Sequence, residues 1–523
     1  MATNKKRKNL NVLITCVIIA SFLLMSGCVD SEEEATTTNE LTVGISTDVN
    51  NWYLSQFPDG DGRFVWSQVY ETLVRLDTDL NIEPGLAESW ETPDNGTTWI
   101  FHLRENVYFH DGTPLNADAV VFSYSEDSYV KKMGALRALK SVEAVDDTTV
   151  KFVMAKQMSL PFYLTHVAWP IMSPSCVDAE GNFISPIGTG PFKFEDQVTD
   201  QEIILVRNDD YWGEKYVLDS VIFKVIPEAT TRVMALETGE IDMAIKLPEY
   251  DVSRLEEEDD IEVYRTLTTF TDFLQFNCNN GVFEDKEVRK AVAYTIDTEE
   301  MVDTVLEGIG MAAQGRAFTP TMMYSNPDLE LYEPDVEKAK EILADDGWSD
   351  SDNDGILDKD GKPLTVTLIV GKGVWASRHT AMAEAIQGSL NEIGMDVDIQ
   401  VLESAAITSL ENDGDFDMLL RTGYFVWGPY PRHFFVHQST SPYSHYNNSE
   451  YDVLANAADS TVDEDKQQEL YYQLQEMVLE ELPAFYLVHE EKIVAANSYV
   501  KGYEITAEDP WLNLNGVYIE NEQ

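Results

Sequence analysis

The chain has 523 residues, and its 36 Lys and Arg stand against 93 Asp and Glu, a formal net charge of −57. Such a field repels nucleic acid and anionic membrane surfaces, so neither is expected as a partner. The acids are spread along the whole chain, which describes a solvated surface suited to a saline medium, weakly favours cationic ligands and names no substrate.

Lys5, Lys6, Arg7 and Lys8 form a basic start, Val12 to Met25 is an almost unbroken apolar run, and Leu24-Met25-Ser26-Gly27-Cys28 follows. A basic start, a short apolar stretch and small residues before a cut describe a secretory signal. The run is shorter than the roughly 20 residues a spanning helix needs, although an uncleaved anchor has a similar outline. Small residues directly before a cysteine favour cleavage. Residues 1–27 are therefore expected to be a signal peptide, with Cys28 carrying a lipid on the outer face of the cell membrane. Cleavage leaves 32 basic residues against 93 acidic ones, a net charge of −61. Residues 28–40 are rich in Asp, Glu, Thr and Ser, too polar to order themselves, and read as a flexible tether.

About 480 residues remain, too many for one core, so two or three domains are expected. Leu41 to Ile45 alternates like a strand. Asp285 to Ile296 reads as a helix with Val288, Val292 and Ile296 on one face. Asp335 caps a second helix, which carries Val336, Ala339 and Leu343 and stops at Gly347. Asp350-Ser-Asp-Asn-Asp-Gly-Ile-Leu-Asp358 then follows the D-x-D-x-D-G spacing of a calcium loop, with Gly355 at the tight turn. Its twelfth position is Gly361 in place of a bidentate Glu, so an EF-hand proper is excluded. Two readings stay open there: a structural calcium held by Asp350, Asp352, Asp354 and Asp358, or an Asp-rich surface loop before the strand Leu364 to Val370. No cofactor is otherwise required.

His379 to Ile393 places Met382, Ile386, Leu390 and Ile393 at helical spacing, with Gly394 closing the helix and an alternating strand at Val397, Ile399 and Val401 after it. Gln468 to Leu482 is amphipathic and leads through Pro483 into the apolar strand Ala484 to Val488. This interleaving argues α/β lobes, and there is no fixed-period repeat. Cys176 and Cys278 are too far apart for a zinc ribbon or a C-x-x-C motif. Two buried free thiols fit better than a disulfide, which stays open.

Ala87-Glu-Ser-Trp90, Trp99-Ile-Phe-His-Leu-Arg104 and Phe109-His-Asp-Gly-Thr-Pro-Leu115 are followed by Ile187-Gly-Thr-Gly-Pro-Phe192, Asn208-Asp-Asp-Tyr-Trp-Gly213 and Leu236-Glu-Thr-Gly-Glu-Ile-Asp242. In this order they resemble family 5 of the extracellular solute-binding proteins, the peptide- and nickel-binding components of ATP-driven importers. By their own chemistry, Gly188, Gly190 and Pro191 read as chain-bending residues, Asp111 to Pro114 as a turn, and Trp90, Trp99, Phe101 and Phe109 as core. The resemblance implies a periplasmic-binding-protein-like fold, with two hinged α/β lobes and an extra subdomain on the first. Lobe I would comprise 41–271 plus 483–523, with the subdomain at about 77–186, and lobe II would comprise 272–482. A monomer is implied that hands a peptide or small molecule to the permease and ATPase subunits of an importer.

The family's ligand region falls on Arg421 to Phe435. Tyr424, Trp427 and Tyr430 offer flat walls, and Arg421 and Arg432 a carboxylate clamp, although Arg421 could equally pair with Asp415 or Asp417. Peptide binders carry an Asp in a Tyr-Pro-Asp-Pro context where this chain has Pro431-Arg432. Trp427-Gly-Pro-Tyr430 with His433 sits nearer the nickel binders, yet the Arg they use near Leu164 to Pro170 is missing. His433, His437 and His445 are candidate metal ligands. The reading is therefore capture of a peptide or of a chelated nickel-like metal. A secreted hydrolase is disfavoured by the lack of a G-x-S-x-G elbow or H-E-x-x-H motif. A receptor for a signalling partner would use the same closure.

Overall fold

Local signals place the helices where the spacing requires them. In the computed structural model, which describes residues 39–53, 60–124, 138–373, 376–423, 437–507 and 511–520, Asp285 caps the helix Lys286–Thr295 by accepting the Glu287 N–H at 2.9 Å. Asp335 does the same for Val336–Asp345 through the Lys338 N–H. The helix expected from Gln468 runs Glu464–Glu481, because Asp463 caps it one turn earlier. The signal segment, Cys28 and most of the tether lie outside the described residues, as do Tyr424, Trp427, Tyr430, Arg432 and His433. Among the described residues no helix is long and apolar enough to cross a membrane.

Among the described residues, eleven strands assemble into one mixed sheet. At one end Glu40–Ile45 lies parallel to Ser220–Val225 and Met243–Ile245. At the other, Thr365–Gly371 lies parallel to Asp396–Leu402 and Met418–Thr422. Two long antiparallel strands join the ends, Ile261–Phe276 and Ala484–Asn497, running in register from Ile261 opposite Asn497 to Gln275 opposite Ala484. The second was legible only as Ala484 to Val488, since His489-Glu-Glu-Lys492 breaks the apolar run. Those polar residues occupy the crossing, where the ladder is irregular between Leu267 and Thr271 and again between Asp272 and Phe273.

Separate cores flank the crossing. Leu41, Val43, Phe192, Phe223, Val494 and Leu514 are buried together in lobe I. Leu274, Val288, Leu368, Met382, Phe485 and Leu487 form the main core of lobe II. The second crossing strand thus stays with lobe II as far as Val488, past the residue 482/483 boundary expected from sequence. Ala87–Glu91, Thr98–Leu103, Thr149–Met154 and Leu139–Ala144 make a separate four-stranded sheet over a third core that buries Trp99, Phe101, Phe109 and Phe152, with Trp90 half-buried at its edge. Cys176 lies in the lobe I core and Cys278 against the lobe II core, both as free thiols. Burial pushes them up to about 12 and about 11, which keeps both thiols protonated near neutral pH, with Cys278 only half-buried.

Gly188 and Gly190 are required for a reason other than backbone freedom. A Cβ on Gly188 would stand 2.0 Å from the Val69 carbonyl oxygen, and one on Gly190 2.5 Å from that of Gln68. Close backbone approach, rather than a bend, explains them. His110 completes the contact: Nδ1 accepts from the Gly188 N–H at 3.3 Å, and Nε2 faces the Gly190 carbonyl at 3.0 Å.

Candidate functional site: the cleft between the lobes

In an α/β sheet the loops at the carboxyl ends of parallel strands hold ligands. Lobe I directs two such ends, Ile45 and Ile245, into loops carrying Asp61 and Lys246. Asp61 is fully buried; it accepts the Ser46 N–H and hydroxyl at 2.6 Å each and lies 2.6 Å from the Lys246 ammonium. Burial raises its carboxyl, but Lys246 and Ser46 outweigh that and hold it below the usual range. The Lys246 and Lys492 ammoniums lie 5.8 and 5.7 Å from the Phe64 ring centroid. Lys246 is thus matched by Asp61, and the buried Lys492 ammonium donates to the backbone carbonyls of Thr506 and Trp511.

Lobe II directs the ends of Thr365–Gly371 and Met418–Thr422 toward the same crossing. Helix Ala376–Glu392 begins there, and Arg378 reaches across the gap. Its Nη1 lies 3.1 Å from Glu249 at the start of the lobe I helix Glu249–Leu255, and its Nε 2.9 Å from Asp272 on the first crossing strand. Asp272 is fully buried. It also accepts the Thr422 hydroxyl at 2.6 Å and faces His379 Nε2 at 3.1 Å, which requires the imidazole proton on Nε2. Burial pushes the Asp272 carboxyl up, but Arg378, His379 and Thr422 together drive it well below the ordinary carboxylate range. Arg378 is in turn held cationic by Asp272, Glu490 and Glu249 against its own desolvation. Beside it, Thr271 Oγ1 lies 2.9 Å from His489 Nδ1 across the two strands. Such a network fixes geometry at the pivot.

The residues singled out from sequence fall as follows. Arg421 sits on strand Met418–Thr422, opposite Phe273, which in turn pairs with Tyr486. Its guanidinium pairs with the buried Glu411, rather than with Asp415 or Asp417, and lies over the Tyr443 ring at 5.2 Å. Its Nε is buried without a hydrogen-bond partner. His437 is buried between the Ser444 and Tyr486 hydroxyls, at 3.2 and 3.1 Å. His445 Nε2 lies 2.7 Å from the Glu411 carbonyl oxygen. Among the described residues the one cluster of three metal-ligating side chains is Asp350, Asp352 and Asp354, exposed and with ligand oxygens within 4.8 Å of one another. Asp358 falls outside it and accepts the Ser351 N–H at 2.9 Å. Backbone N–H groups of Asp354, Gly355 and Ile356 already occupy part of the loop's acceptor capacity.

Sequence reasoning missed Asp61, Lys246, Glu249, Asp272, Arg378 and His379. One signal was available: Asp272 is a lone acid in the otherwise uncharged run Thr266 to Asn277. A fully buried acid needs a partner, and nothing local could supply one.

Two lobes, two crossing strands and a polar cleft at facing strand ends define a binding protein that works by hinge closure. A family model described as bacterial extracellular solute-binding proteins, family 5 Middle, matches residues 81–446, and the chain belongs to this family. It is 28% identical to the oligopeptide-binding protein AppA of Bacillus subtilis, over 95% of this chain and 97% of that one. It is 31% identical to the nickel-binding periplasmic protein of Escherichia coli, over 72% and 74% of the two chains. Among solved structures, NikA of Brucella suis in complex with Fe(III)-EDTA superposes with a TM-score of 0.82 at 26% identity, covering 92% of this chain and 99% of that one. The protein is the solute-binding component of an ABC importer and, like its family, catalyses no reaction.

Proposed function

We propose that this protein captures a peptide, or a metal held in a carboxylate chelator, between its lobes and delivers it to the permease and ATPase of its importer. The reading is supported by the basic side chains at the strand ends, Lys246 in lobe I and Arg421 on the lobe II sheet, each held by one acid, Asp61 and Glu411. In a chain of net charge −57 these are the groups suited to a ligand carboxylate. The relatives named for oligopeptide and nickel binding, and the Fe(III)-EDTA complex, support both ligand classes. The aromatic and histidine residues from Tyr424 to His433 are proposed to supply the remaining contacts. A lipid on Cys28 is proposed to hold the monomer at the outer face of the membrane. The Asp350–Asp354 loop is proposed to take a stabilising calcium with no part in transport, as three clustered carboxylates suit a hard cation.

The test is a thermal-shift panel of dipeptides, longer peptides, free nickel and nickel with histidine or a tricarboxylate. A shift with one class, lost on Arg421→Ala and also in the pair Arg421→Ala with Glu411→Gln, which leaves no buried charge unpaired, supports the reading. Identical shifts in the wild type and Arg421→Ala remove Arg421 from the site. No shift with any member of the panel overturns the ligand assignment.

A further inference from the structure

The crossing strands account for one side of the cleft, and a second contact between the lobes lies away from them. The subdomain meets lobe II at Asp459, near the end of helix Ser449–Ser460. The Asp459 side chain is 4% exposed, and two groups of the subdomain reach it: the Tyr163 hydroxyl donates to Oδ1 at 2.9 Å, and the Lys156 ammonium lies 2.5 Å from Oδ2. Apolar groups close the contact around them. Phe162 faces Tyr324 of lobe II at 6.2 Å between ring centroids, and Tyr324 and Val462 pack against the subdomain core. Tyr324 itself is held rigidly, stacked on Tyr471 at 5.5 Å and bonded to Gln467, both on helix Glu464–Glu481.

We propose that this Asp459–Tyr163–Lys156 contact is a rim latch that holds the lobes closed in the absence of ligand. The inference rests on the closure reading above and adds a closing force internal to the chain. Its energetics suit a latch. Burying a carboxylate costs solvation that opposite charge and hydrogen-bond donors largely return, so a contact of this kind can be made and broken. Lobe opening restores water to Asp459 and separates it from Tyr163 and Lys156. A chain of net charge −57 repels itself, which favours the open form, and a local bridge of opposite charge offsets this at the rim. A closed, unliganded population lowers the fraction able to accept ligand, so the latch lowers the apparent affinity and protects the empty cleft from weak occupants.

The experiment places spin labels at Val145→Cys on the subdomain and Val453→Cys on the lobe II helix, both exposed at 60% and 69%. Cys28 and the half-buried Cys278 are first replaced by Ser so that neither takes label, and Cys176 is fully buried in the lobe I core. Distance distributions are recorded by pulsed electron resonance on unliganded protein, in the wild-type background, in Tyr163→Phe and in Asp459→Asn. The wild type is expected to populate mainly the shorter separation. Loss of one hydrogen bond to a charged group should move the closed-to-open ratio about tenfold toward longer separations in Tyr163→Phe. Tyr163→Phe keeps the ring packing, so it reports even where Asp459→Asn folds poorly. Coincident distributions in wild type and Tyr163→Phe overturn the latch, as does a wild type already fully at the longer separation. No ligand enters the measurement, so failure of the ligand panel and failure of the latch are read separately.

Discussion

Among the polar bridges that join the lobes are one at the pivot and one at the rim, and the two are built differently. At the pivot Asp272 is fully buried, and its partners Arg378 and His379 are 12% and 6% exposed at the side chain. At the rim Asp459 is buried, but Lys156 is 59% exposed and reaches it from outside. The pivot carries the two chain crossings and cannot separate, so its charges can be sealed from water. The rim has no covalent link between its sides, and water can reach it from one edge. Burial depth therefore tracks mechanical duty: what must stay together is dry, and what must part keeps an edge in solvent.

Breaking the pivot should cost the most. Asp272→Ala strands Arg378 and His379 without their counter-charge, and removing one partner of a buried pair costs about 3–5 kcal/mol. Urea unfolding would measure it, and a loss below 1 kcal/mol would mean that water enters the pivot.

Acid distinguishes the two regions next. His166 follows the helix that carries Tyr163, and burial pushes its imidazole down to about 3; burial likewise lowers His110 to about 4. Both are neutral when folded. Their contribution is complete above the ordinary histidine value near 6.5 and shrinks as pH falls toward the folded values, by about 3 kcal/mol at full extent for His110 and about 5 kcal/mol for His166. The depressed Asp272 carboxyl works lower on the scale: its contribution is full above about 3.9 and persists until its own folded value is passed. Melting temperature should therefore begin to fall below about pH 6.5, with a shallower slope in His110→Gln. Parallel slopes would remove His110 from the cause.

The smallest effect belongs to the exposed arm of the pivot. Glu249 is 33% exposed, so Glu249→Gln should change stability by no more than about 1 kcal/mol while loosening the bond from Arg378 to lobe I. The same label pair would report a broader distance distribution, with the closed separation still present. An unchanged width would assign Arg378 to Asp272 alone.

Much of this architecture was legible in the chain. The caps Asp285 and Asp335 and the stop at Gly394 are local chemistry, and local chemistry is written in adjacent residues. The crossing strands were half hidden, because Ala484–Asn497 is apolar at both ends and polar in the middle, where it passes between cores. The motif Ile187–Phe192 identified the family, yet the reason for its glycines is the carbonyls of Gln68 and Val69, far away in sequence. Arg421 stood out by its neighbours Tyr424 and Trp427, but its observed partner, Glu411, comes from the helix Ser404–Asp413 that precedes its strand.

Sequence alone determined the acidic character, the alternation of helices and strands, and the resemblance that specifies two lobes, because periodicity, capping and composition act over a few residues. Only the tertiary structure decided which charges meet across the cleft. Glu249, Asp272 and Arg378 span 129 residues at their widest, and Lys156 and Asp459 span 303. A buried charge is stable only beside its counter-charge, and the fold alone selects which distant residue supplies it.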